Sequence, residues 1–443
     1  MNSSDTIFAV SSGSGIAGIS VIRMSGPGTS QIFSDVAGEL PRPRLASVRQ
    51  LRDPKSNEII DQALVLWIPG PKSSTGEDVG EFHVHGSIAV VDSLLKIFGR
   101  YDGARLAEAG EFSRRAFIND RMDLVEAEGL GDLLQARTEV QRRLAMHHVL
   151  GAASSTYEIW RGELIAILAR LEAAIDFVDE EGVTEAALAD VKLRTENLLG
   201  TLTKAVAESE RAGAVRSGIK IVFAGAPNVG KSSLLNLVAA REAAIVSSRP
   251  GTTRDVIEVS IALGGVPVIL TDTAGLRTGS DDEIENIGIT RAWSEVAAAD
   301  ILVWVSAADV PETQELRPAA FRVLNKSDLL TDQSIRLRND LGNVHRVSAK
   351  TGEGIVELIA ELQNLVVKMV GGVEHTAIVR TRQRSAVEDS IRHLNDSLLY
   401  KAEQIELAAE CVRRASHSIA RITGRVDVED LLGSIFGEFC IGK

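Results

Sequence analysis

The sequence predicts an α/β and α fold in three parts: an N-terminal α/β domain, a central helical bundle, and a doubly wound α/β domain inserted into that bundle. Three observations predict it. Short β-like runs with glycine-rich turns fill the first 118 residues, and long helical periodicity follows them. From about Lys220 to Val370, strand-like and helix-like runs alternate, which is typical of a doubly wound sheet. Helical periodicity returns after Gly371-Gly372, so the two helical stretches are expected to pack together.

These changes of pattern set the expected domain boundaries. The four segments are an N-terminal domain over 1–118, a first helical part over 119–216, the inserted domain over 217–370, and a second helical part over 371–443. Within the N-terminal domain, strands are expected at Ile7–Val10, Gly18–Met24 and Ala63–Ile68.

The two helical parts are identified by apolar residues at helical spacing. One continuous apolar face is expected in the first part, formed by Leu130, Leu133, Leu134, Leu144, Leu150, Ile159, Trp160, Leu164, Ile167, Leu168 and Leu171. A second amphipathic run covers Ala186–Ser209. The apolar face of the second part is formed by Ile405, Ala408, Cys411, Val412, Ala415, Ile419 and Ile422.

Composition excludes several classes of protein. The 443 residues are 44% hydrophobic and 25% charged, as in globular proteins with more than one core. No apolar run reaches membrane-spanning length and the N-terminus lacks signal-peptide features, so no membrane partner and a cytoplasmic location are expected. Two cysteines give no disulfide framework. A net charge of −13 argues against a protein that coats nucleic acid, so any RNA contact is local or shared with a partner.

The segment Gly225-Ala-Pro-Asn-Val-Gly-Lys-Ser232 fits the P-loop pattern and follows the apolar run Ile219–Ala224, which reads as a buried strand. Backbone N–H groups of such a loop surround phosphates. Lys231 supplies a positive charge and the Ser232 hydroxyl a magnesium ligand. A single P-loop match is weak evidence, because a glycine-rich turn between strand and helix also occurs for packing alone.

Further motifs follow in order, at predicted strand ends. Thr253 in Gly251-Thr-Thr-Arg-Asp255 offers the metal a second hydroxyl, and Asp272-Thr-Ala-Gly275 places a carboxylate near magnesium. Asn325-Lys-Ser-Asp328 offers a carboxylate to the paired N–H donors of guanine, which adenine lacks, and Ser348-Ala-Lys350 completes the base pocket. The full set predicts a GTP-binding domain and a GTP hydrolase.

The expected nucleotide contacts share these five loops. They are Asn228, Val229, Gly230, Lys231, Ser232, Ser233, Ser247, Ser248, Arg249, Pro250, Gly251, Thr252, Thr253, Asp272, Thr273, Ala274, Gly275, Asn325, Lys326, Asp328, Ser348, Ala349 and Lys350.

Motifs outside this domain carry a family resemblance. They are Asp5-Thr-Ile7, Gly18-Ile-Ser-Val-Ile-Arg-Met-Ser-Gly26, Thr75-Gly-Glu-Asp-Val79, His85-Gly86, Gly110-Glu-Phe-Ser113, Arg115-Ala-Phe-Ile-Asn-Asp120 and Phe439-Cys-Ile-Gly-Lys443. With them the chain resembles, from end to end, the MnmE (TrmE) family of tRNA modification GTPases. The resemblance implies a homodimer whose N-terminal domain binds a reduced folate (5-formyl- or 5,10-methylene-tetrahydrofolate). It also implies a complex, a heterotetramer or larger, with the FAD-dependent protein MnmG (GidA), which modifies carbon 5 of the wobble uridine of certain tRNAs.

The resemblance also places the folate contacts. They would fall on Arg23, Glu81, Arg121 and Lys443. Arginine or lysine pairs with the glutamate carboxylate of a folate, and a carboxylate accepts from the N–H donors of the pterin. Arg121 stands where the family usually has lysine, which keeps the charge and changes its geometry. Solvated surface charge is the alternative for Arg23 and Glu81.

For hydrolysis, the resemblance implies a glutamate that orients the attacking water, because Leu276 occupies the position of the usual glutamine. Glu285 is the expected residue, with Glu283 as the alternative. It further implies a potassium ion in place of an arginine finger, with Arg254 as the rival source of positive charge. Hydrolysis is therefore expected to depend on potassium and on pairing of the inserted GTP-binding (G) domains of two chains. The potassium contacts would involve Asn228, Ser247, Arg249 and Thr252.

Cys440, in the terminal motif, has two open interpretations: a catalytic thiol near the folate, or a small buried apolar residue. Two functions compete with the leading one: a GTPase switch in ribosome assembly or signalling, and a folate-dependent methyltransferase with a vestigial GTPase. The N-terminal and terminal motifs argue against the first. Intact Lys231, Ser232, Thr253 and Asp272 argue against the second.

Overall fold

The computed structural model describes residues 5–13, 15–176, 183–242, 258–273, 293–310, 321–330, 344–401, 404–426, 429–437 and 439–443. The chain divides into two compact units. The first comprises Met1–Gly131, His148–Thr195 and Arg392–Lys443, and the second comprises Asp132–His147 and Glu196–Ile391.

The first unit contains a six-stranded sheet near its N-terminus. Its strands are β1 (Thr6–Val10), β2 (Ala17–Ser25), β3 (Ser47–Arg52), β4 (Ile59–Ile68), β5 (Val79–Gly86) and β6 (Ala104–Leu106). The spatial order is β3-β4-β5-β2-β1-β6, with β1 and β6 parallel and the other pairs antiparallel. The three strands expected from the sequence are confirmed, each one to four residues longer.

Two helices, α1 (Thr29–Ala37) and α2 (Ile88–Phe98), bury one face of this sheet. Alternate residues of β2 and β5, including Ile22 and Phe82, point into the core that these helices complete. Because side chains alternate along a strand, the residues between them lie on the opposite face. That opposite face carries the charged pair described below.

Most of the other described residues outside the inserted domain are helical. The described helices are α3 (Glu111–Ile118), α4 (Leu124–Gln135), α5 (Glu139–Val149), α6 (Ala152–Asp176), α7 (Val183–Ser217), α10 (Thr381–Ser397), α11 (Ile405–Thr423) and α12 (Glu429–Gly437). In the first unit α6 packs against α11. Within the described ranges, none of the helices is both long enough and apolar enough to cross a membrane.

The expected single apolar face over the first helical part is wrong in detail. Leu150 is 74% exposed, because α5 ends before it and Gly151 adopts a positive φ of 76° there. Ile159 is also exposed, whereas Trp160 and Leu164 in the same helix are buried. The break between α5 and α6 resets the helical phase, so a stripe counted across it does not stay on one face.

The second unit contains a six-stranded sheet in the order β12-β11-β10-β7-β9-β8. Its strands are β7 (Ile219–Ala224), β8 (Glu258–Leu263), β9 (Val266–Asp272), β10 (Ile301–Ala307), β11 (Phe321–Asn325) and β12 (Val344–Arg346). Only the β8–β9 pair is antiparallel. The helices α8 (Lys231–Arg241) and α9 (Ile355–Val370) pack on it. Parallel strands bring their carboxyl ends to one edge, where the predicted nucleotide loops begin.

Candidate functional site

The loop between β7 and α8 has a backbone that requires glycine at both ends. Gly225 has φ +151°, and a Cβ there would lie 2.1 Å from the Val305 carbonyl oxygen. Gly230 has φ +91°, and a Cβ there would lie 2.3 Å from Nδ2 of Asn325. Between them Asn228 adopts φ 63°, a left-handed conformation that asparagine tolerates better than most residues. The sequence pattern therefore encodes a tightly folded loop whose turns exclude side chains.

Lys231 begins α8 with its side chain folded back under this loop. It is 6% exposed, and its Nζ donates to the carbonyl oxygens of Gly225 at 3.2 Å and Ala226 at 3.0 Å. Burial lowers the pKa of the Lys231 ammonium, and the charge of Asp272 partly opposes that shift. Among the described residues, the recorded hydrogen bonds of Lys231 go to neutral carbonyls, and a buried cation of this kind is suited to an anionic ligand such as phosphate.

Ser232 and Asp272 meet although they come from different elements, the start of α8 and the end of β9. The Ser232 hydroxyl donates to Oδ2 of Asp272. Oδ1 of Asp272 is buried and has no hydrogen-bond partner among the residues that the structure describes. Thr273 is anchored beside them by its N–H and hydroxyl, which both donate to the Phe223 carbonyl oxygen. A hydroxyl and a carboxylate with a buried unused oxygen fit a magnesium ion, which prefers oxygen ligands.

Asn325 connects the phosphate loop to the loop after β12. Its side chain is 1% exposed. Its Nδ2 donates to the Val229 carbonyl oxygen at 2.8 Å, and its Oδ1 accepts from the Ala349 N–H at 3.0 Å. Both ends of one amide are therefore used to hold two loops of the site together.

The carboxylate of Asp328 is held by a neighbouring loop. Oδ1 of Asp328 accepts from the Ser348 hydroxyl at 2.6 Å, and the Ser348 oxygen accepts from the Thr351 N–H at 3.2 Å. Lys326 lies beside it with a φ of 60°, and its Nζ contacts Oδ2 of Asp309 at 2.8 Å. Of the two oxygens of Asp328, Oδ1 is the one that the Ser348 hydroxyl contacts.

Of the other predicted nucleotide contacts, Ser233 and Lys350 are exposed. The remaining predicted residues of the hydrolytic site lie outside the described ranges. These are Ser247, Ser248, Arg249, Pro250, Gly251, Thr252, Thr253, Arg254, Ala274, Gly275, Glu283 and Glu285.

A second constellation lies on the open face of the N-terminal sheet. Arg23 on β2 is paired in register with Glu81 on β5. Nε and Nη2 of Arg23 contact the same oxygen, Oε1 of Glu81, at 3.1 and 3.0 Å. The Arg23 guanidinium also lies 5.9 Å from the ring centre of Phe112. Both charged side chains are only about one-fifth exposed, at 21% and 18%, so the alternative of freely solvated surface charge is wrong for this pair.

The terminal segment is held against the same domain by its backbone. Ile441 forms an antiparallel bridge with Ala109. The Ser11 hydroxyl donates to the Gly442 carbonyl oxygen at 2.9 Å. These contacts place the last residues of the described chain at the edge of the N-terminal sheet.

Lys443 is brought close to Arg23 and Glu81 by this segment. Burial lowers the pKa of the Lys443 ammonium and Arg23 lowers it further, while Glu81 and Cys440 oppose the shift. Cys440 is exposed, so the interpretation of it as a buried apolar residue is wrong. Arg121 is exposed and donates from Nε to the Ser73 carbonyl oxygen at 3.3 Å. Among the described residues, no contact joins Arg121 to the other three predicted folate contacts.

Two residues of these sites were not predicted from the sequence. His83 contacts the free oxygen of Glu81, and Asp309 contacts Lys326. His83 lies two positions after Glu81 on the same strand, so the two-residue period places both on one face. Asp309 follows the end of β10, at the strand edge where the other site residues lie.

Comparison with known proteins identifies relatives of the whole chain. Residues 6–121 match the family described as GTP-binding protein TrmE N-terminus, and residues 124–440 match the MnmE helical domain. The tRNA modification GTPase MnmE of Rhodopseudomonas palustris is 43% identical over 442 residues, covering 100% of this chain and 99% of the relative. That of Brucella anthropi is 42% identical, covering 99% and 98%.

Among solved structures, the G domain of the T. maritima FeoB iron transporter is 27% identical, covering 34% of this chain and 98% of that one, with a TM-score of 0.25. The full-length relatives and the two family matches, taken with the site geometry, show that the chain belongs to the MnmE (TrmE) family of tRNA modification GTPases.

Proposed function

We propose that this GTPase binds GTP with magnesium at the edge formed by the loop after β7 and the end of β9, and that hydrolysis there serves tRNA modification. The contact between Ser232 and Asp272, with the unused buried oxygen of Asp272, supports this most directly. Ser232 and Asp272 would hold the magnesium, with Thr253 as a further ligand. The ion would neutralise charge on the β- and γ-phosphates. Lys231 supplies a fixed positive charge beneath the same phosphates.

Guanine recognition is proposed to depend on Asp328. Ser348 donates to its Oδ1 and so fixes the carboxylate plane. The second oxygen then accepts from a guanine N–H, and an adenine offers no paired donors at that edge. Asn325 fixes the phosphate loop relative to the loop after β12, so that the phosphates and the base of one nucleotide can bind at the same time.

The hydrolytic step is proposed to use Glu285 to orient water, with Glu283 as the alternative. Potassium is proposed to supply the charge that an arginine finger supplies elsewhere, held by Asn228, Ser247, Arg249 and Thr252. Among these, Asn228 is within the described residues, in the left-handed conformation at the centre of the phosphate loop. Arg254 is the rival source of charge.

The N-terminal constellation is proposed to bind a reduced folate as one-carbon donor, either 5-formyl- or 5,10-methylene-tetrahydrofolate. Glu81 is the acceptor for pterin N–H groups, and Arg23 and Lys443 give the surrounding positive charge that a folate carboxylate requires. Arg121 remains a proposed contact at the periphery, since its hydrogen bond goes to Ser73. Cys440 is exposed near Lys443 and is proposed as a catalytic thiol.

We further propose the partners that family membership suggests. The chain would act as a homodimer with the FAD-dependent MnmG, on carbon 5 of the wobble uridine of certain tRNAs. A net charge of −13 supports sharing the tRNA with a partner rather than binding it alone.

GTP hydrolysis with and without magnesium tests the nucleotide site. Ser232→Ala is expected to lower magnesium-dependent turnover by at least about ten-fold, because a metal ligand is lost. Asn236→Ala is the matched control, since Asn236 is exposed one turn later on α8. Wild-type turnover in Ser232→Ala would contradict the assignment.

A further inference from the structure

His83 contacts the proposed folate site from the position next to Glu81 on the same face of β5. Its Nε2 lies 3.3 Å from Oε2 of Glu81. The His83 side chain is 27% exposed, so it borders the open face without being freely solvated. Neighbouring strands supply no substitute for this contact: His83 is paired in register with Val21 on β2 and Leu64 on β4, which are both apolar.

The contacts of Arg23 leave half of the Glu81 carboxylate unrestrained. Both Nε and Nη2 of Arg23 contact Oε1. A carboxylate has two oxygens with about four acceptor positions, so Arg23 occupies about two positions on one oxygen only. Contacts at Oε1 alone do not fix the plane of the carboxylate, so they do not fix the position of Oε2. Among the described residues, His83 is the side chain that contacts Oε2.

An ionised carboxylate can only accept, so the hydrogen bond requires the proton of His83 to be on Nε2. With that bond made, Oε2 has about one acceptor position left. In the proposed folate site, that position is the one left for a ligand N–H. Its direction therefore depends on His83, even though His83 itself does not have to contact the ligand.

We propose that His83 is a positioning residue: its Nε2–H fixes Oε2 of Glu81 so that the carboxylate presents one oriented acceptor to an N–H donor of the bound folate. The inference rests on the proposed folate function of this face. The inference adds a specificity-determining residue to the site. Without His83, the site would consist of Arg23, Glu81 and Lys443, and Arg23 holds the Glu81 carboxylate at one oxygen only.

Three substitutions at one position separate this role from a structural one. In His83→Leu the donor is lost. In His83→Gln the side-chain amide reaches about as far as Nε2 and retains a donor, whereas in His83→Asn the same amide is too short. His85→Leu is the matched control, because His85 is two residues further along the same face and is bonded to Asp61 instead, at 2.7 Å.

The experiment is calorimetric titration of the full-length protein with 5-formyl-tetrahydrofolate, with thermal unfolding measured for every variant. His83→Leu and His83→Asn are expected to bind about ten-fold more weakly, as for loss of a hydrogen bond to a charged group. His83→Gln and His85→Leu should stay within about three-fold of the wild type.

A double-substitution cycle with Glu81→Gln completes the test. If His83 acts through Glu81, adding His83→Leu to Glu81→Gln should change affinity by less than about two-fold. Three results would each overturn the positioning role. The first is equal affinity of His83→Leu and wild type, and the second is failure of His83→Gln to restore affinity. The third is a double variant whose loss of affinity equals the product of the two single losses. Absence of folate binding by the wild type is a different result, which would overturn the folate site itself and this inference with it.

Discussion

Asn325 and Ser348 show how single side chains set the geometry of the nucleotide site. Asn325 uses both ends of a buried amide to join two loops, and Ser348 orients the carboxylate of Asp328. All three hydrogen bonds join groups of the protein itself, so the positions of these side chains do not depend on a contact with the nucleotide. Preorganised polar groups of this kind lose little free energy to reorganisation on binding.

Base specificity is the prediction that belongs to this scale. Asp328→Asn is expected to weaken GTP binding and to favour xanthosine triphosphate. Xanthine has a carbonyl where guanine has its 2-amino group, and the NH₂ of asparagine can donate to that carbonyl. Each lost or mismatched buried hydrogen bond costs about 1–3 kcal/mol. Competition between the two nucleotides measures the change, and an unaltered GTP preference would show that Asp328 does not contact the base.

Sequence motifs predicted which residues form the two sites better than they predicted how those residues are held. The positions of Lys231, Ser232, Asp272 and Asn325 follow from motif spacing. Asp272 and Asn325 end parallel strands, and Lys231 and Ser232 begin the helix that follows β7 and its loop. Motif spacing did not predict the contact of His83 with Glu81 or that of Asp309 with Lys326. His83 and Asp309 stand outside the quoted motifs, and the side-chain contacts in the structure show what they bind.

At the scale of elements, the terminal segment depends on one glycine. Gly442 has φ +97°, and a Cβ there would lie 2.2 Å from the Val10 carbonyl oxygen. Gly442→Ala is therefore expected to displace the segment and to weaken folate binding by about ten-fold or more, since Lys443 moves with it. Calorimetry checks this. Gly433→Ala is the control, because its Cβ would meet nothing within 4 Å, and an equal loss in both variants would contradict the role of the segment.

A buried ion network joins β6 to α3 and gives the N-terminal sheet a pH dependence. Burial raises the pKa of Glu111, but hydrogen bonds from Arg105 and Arg115 outweigh it, so the pKa lies below its ordinary 4.5. A carboxylate with a lowered folded-state pKa contributes stability above 4.5 and loses it as the pH falls through the folded value. The sheet should therefore weaken in acid.

Hydrogen exchange of the β1 and β2 amides measures this contribution. The stability difference between wild type and Glu111→Gln is expected to be largest above pH 4.5 and to shrink below it. Glu108→Gln is the control, since Glu108 is exposed in the preceding loop. A difference that stays constant across that range would rule out Glu111 as the titrating group.

Element predictions succeeded where local signals were strong and failed where helices meet. The buried strand Ile219–Ala224 has the bounds that its apolar run indicated. The apolar stripe of the first helical part failed at Leu150, because the break between α5 and α6 changes the helical phase. It failed at Ile159 because consecutive residues of a helix point about 100° apart, so Ile159 and Trp160 cannot both face the core. Periodicity defines a face only within one uninterrupted helix.

For the whole molecule, the described residues of each site lie within one compact unit: Lys231, Asp272 and Asp328 in the second, Arg23, Glu81 and Lys443 in the first. Composition and alternation of pattern predicted the fold class, and long-range strand order had to come from the structure. The proposed partners could not be derived from local sequence patterns, because an interface with another chain has no fixed spacing along this one.

Potassium dependence is the prediction at this scale, because hydrolysis is expected to need both the ion held by Asn228 and the pairing of the G domains of two chains. Replacing potassium with sodium at matched ionic strength is expected to lower turnover by about ten-fold or more, equivalent to about 1.4 kcal/mol of barrier, with GTP affinity little changed. Steady-state hydrolysis in the two chlorides measures it. Equal rates would contradict a potassium site and favour Arg254 as the source of charge.

The central claim is that GTP hydrolysis by this chain is required for tRNA modification. The most direct measurement is nucleoside mass spectrometry of tRNA from cells that lack the protein, complemented with wild type or with Lys231→Ala. We predict that the carbon-5 modification of the wobble uridine is absent without the protein, restored by wild type, and not restored by Lys231→Ala. A normal level of modified uridine in cells lacking the protein, or full restoration by Lys231→Ala, would contradict the claim.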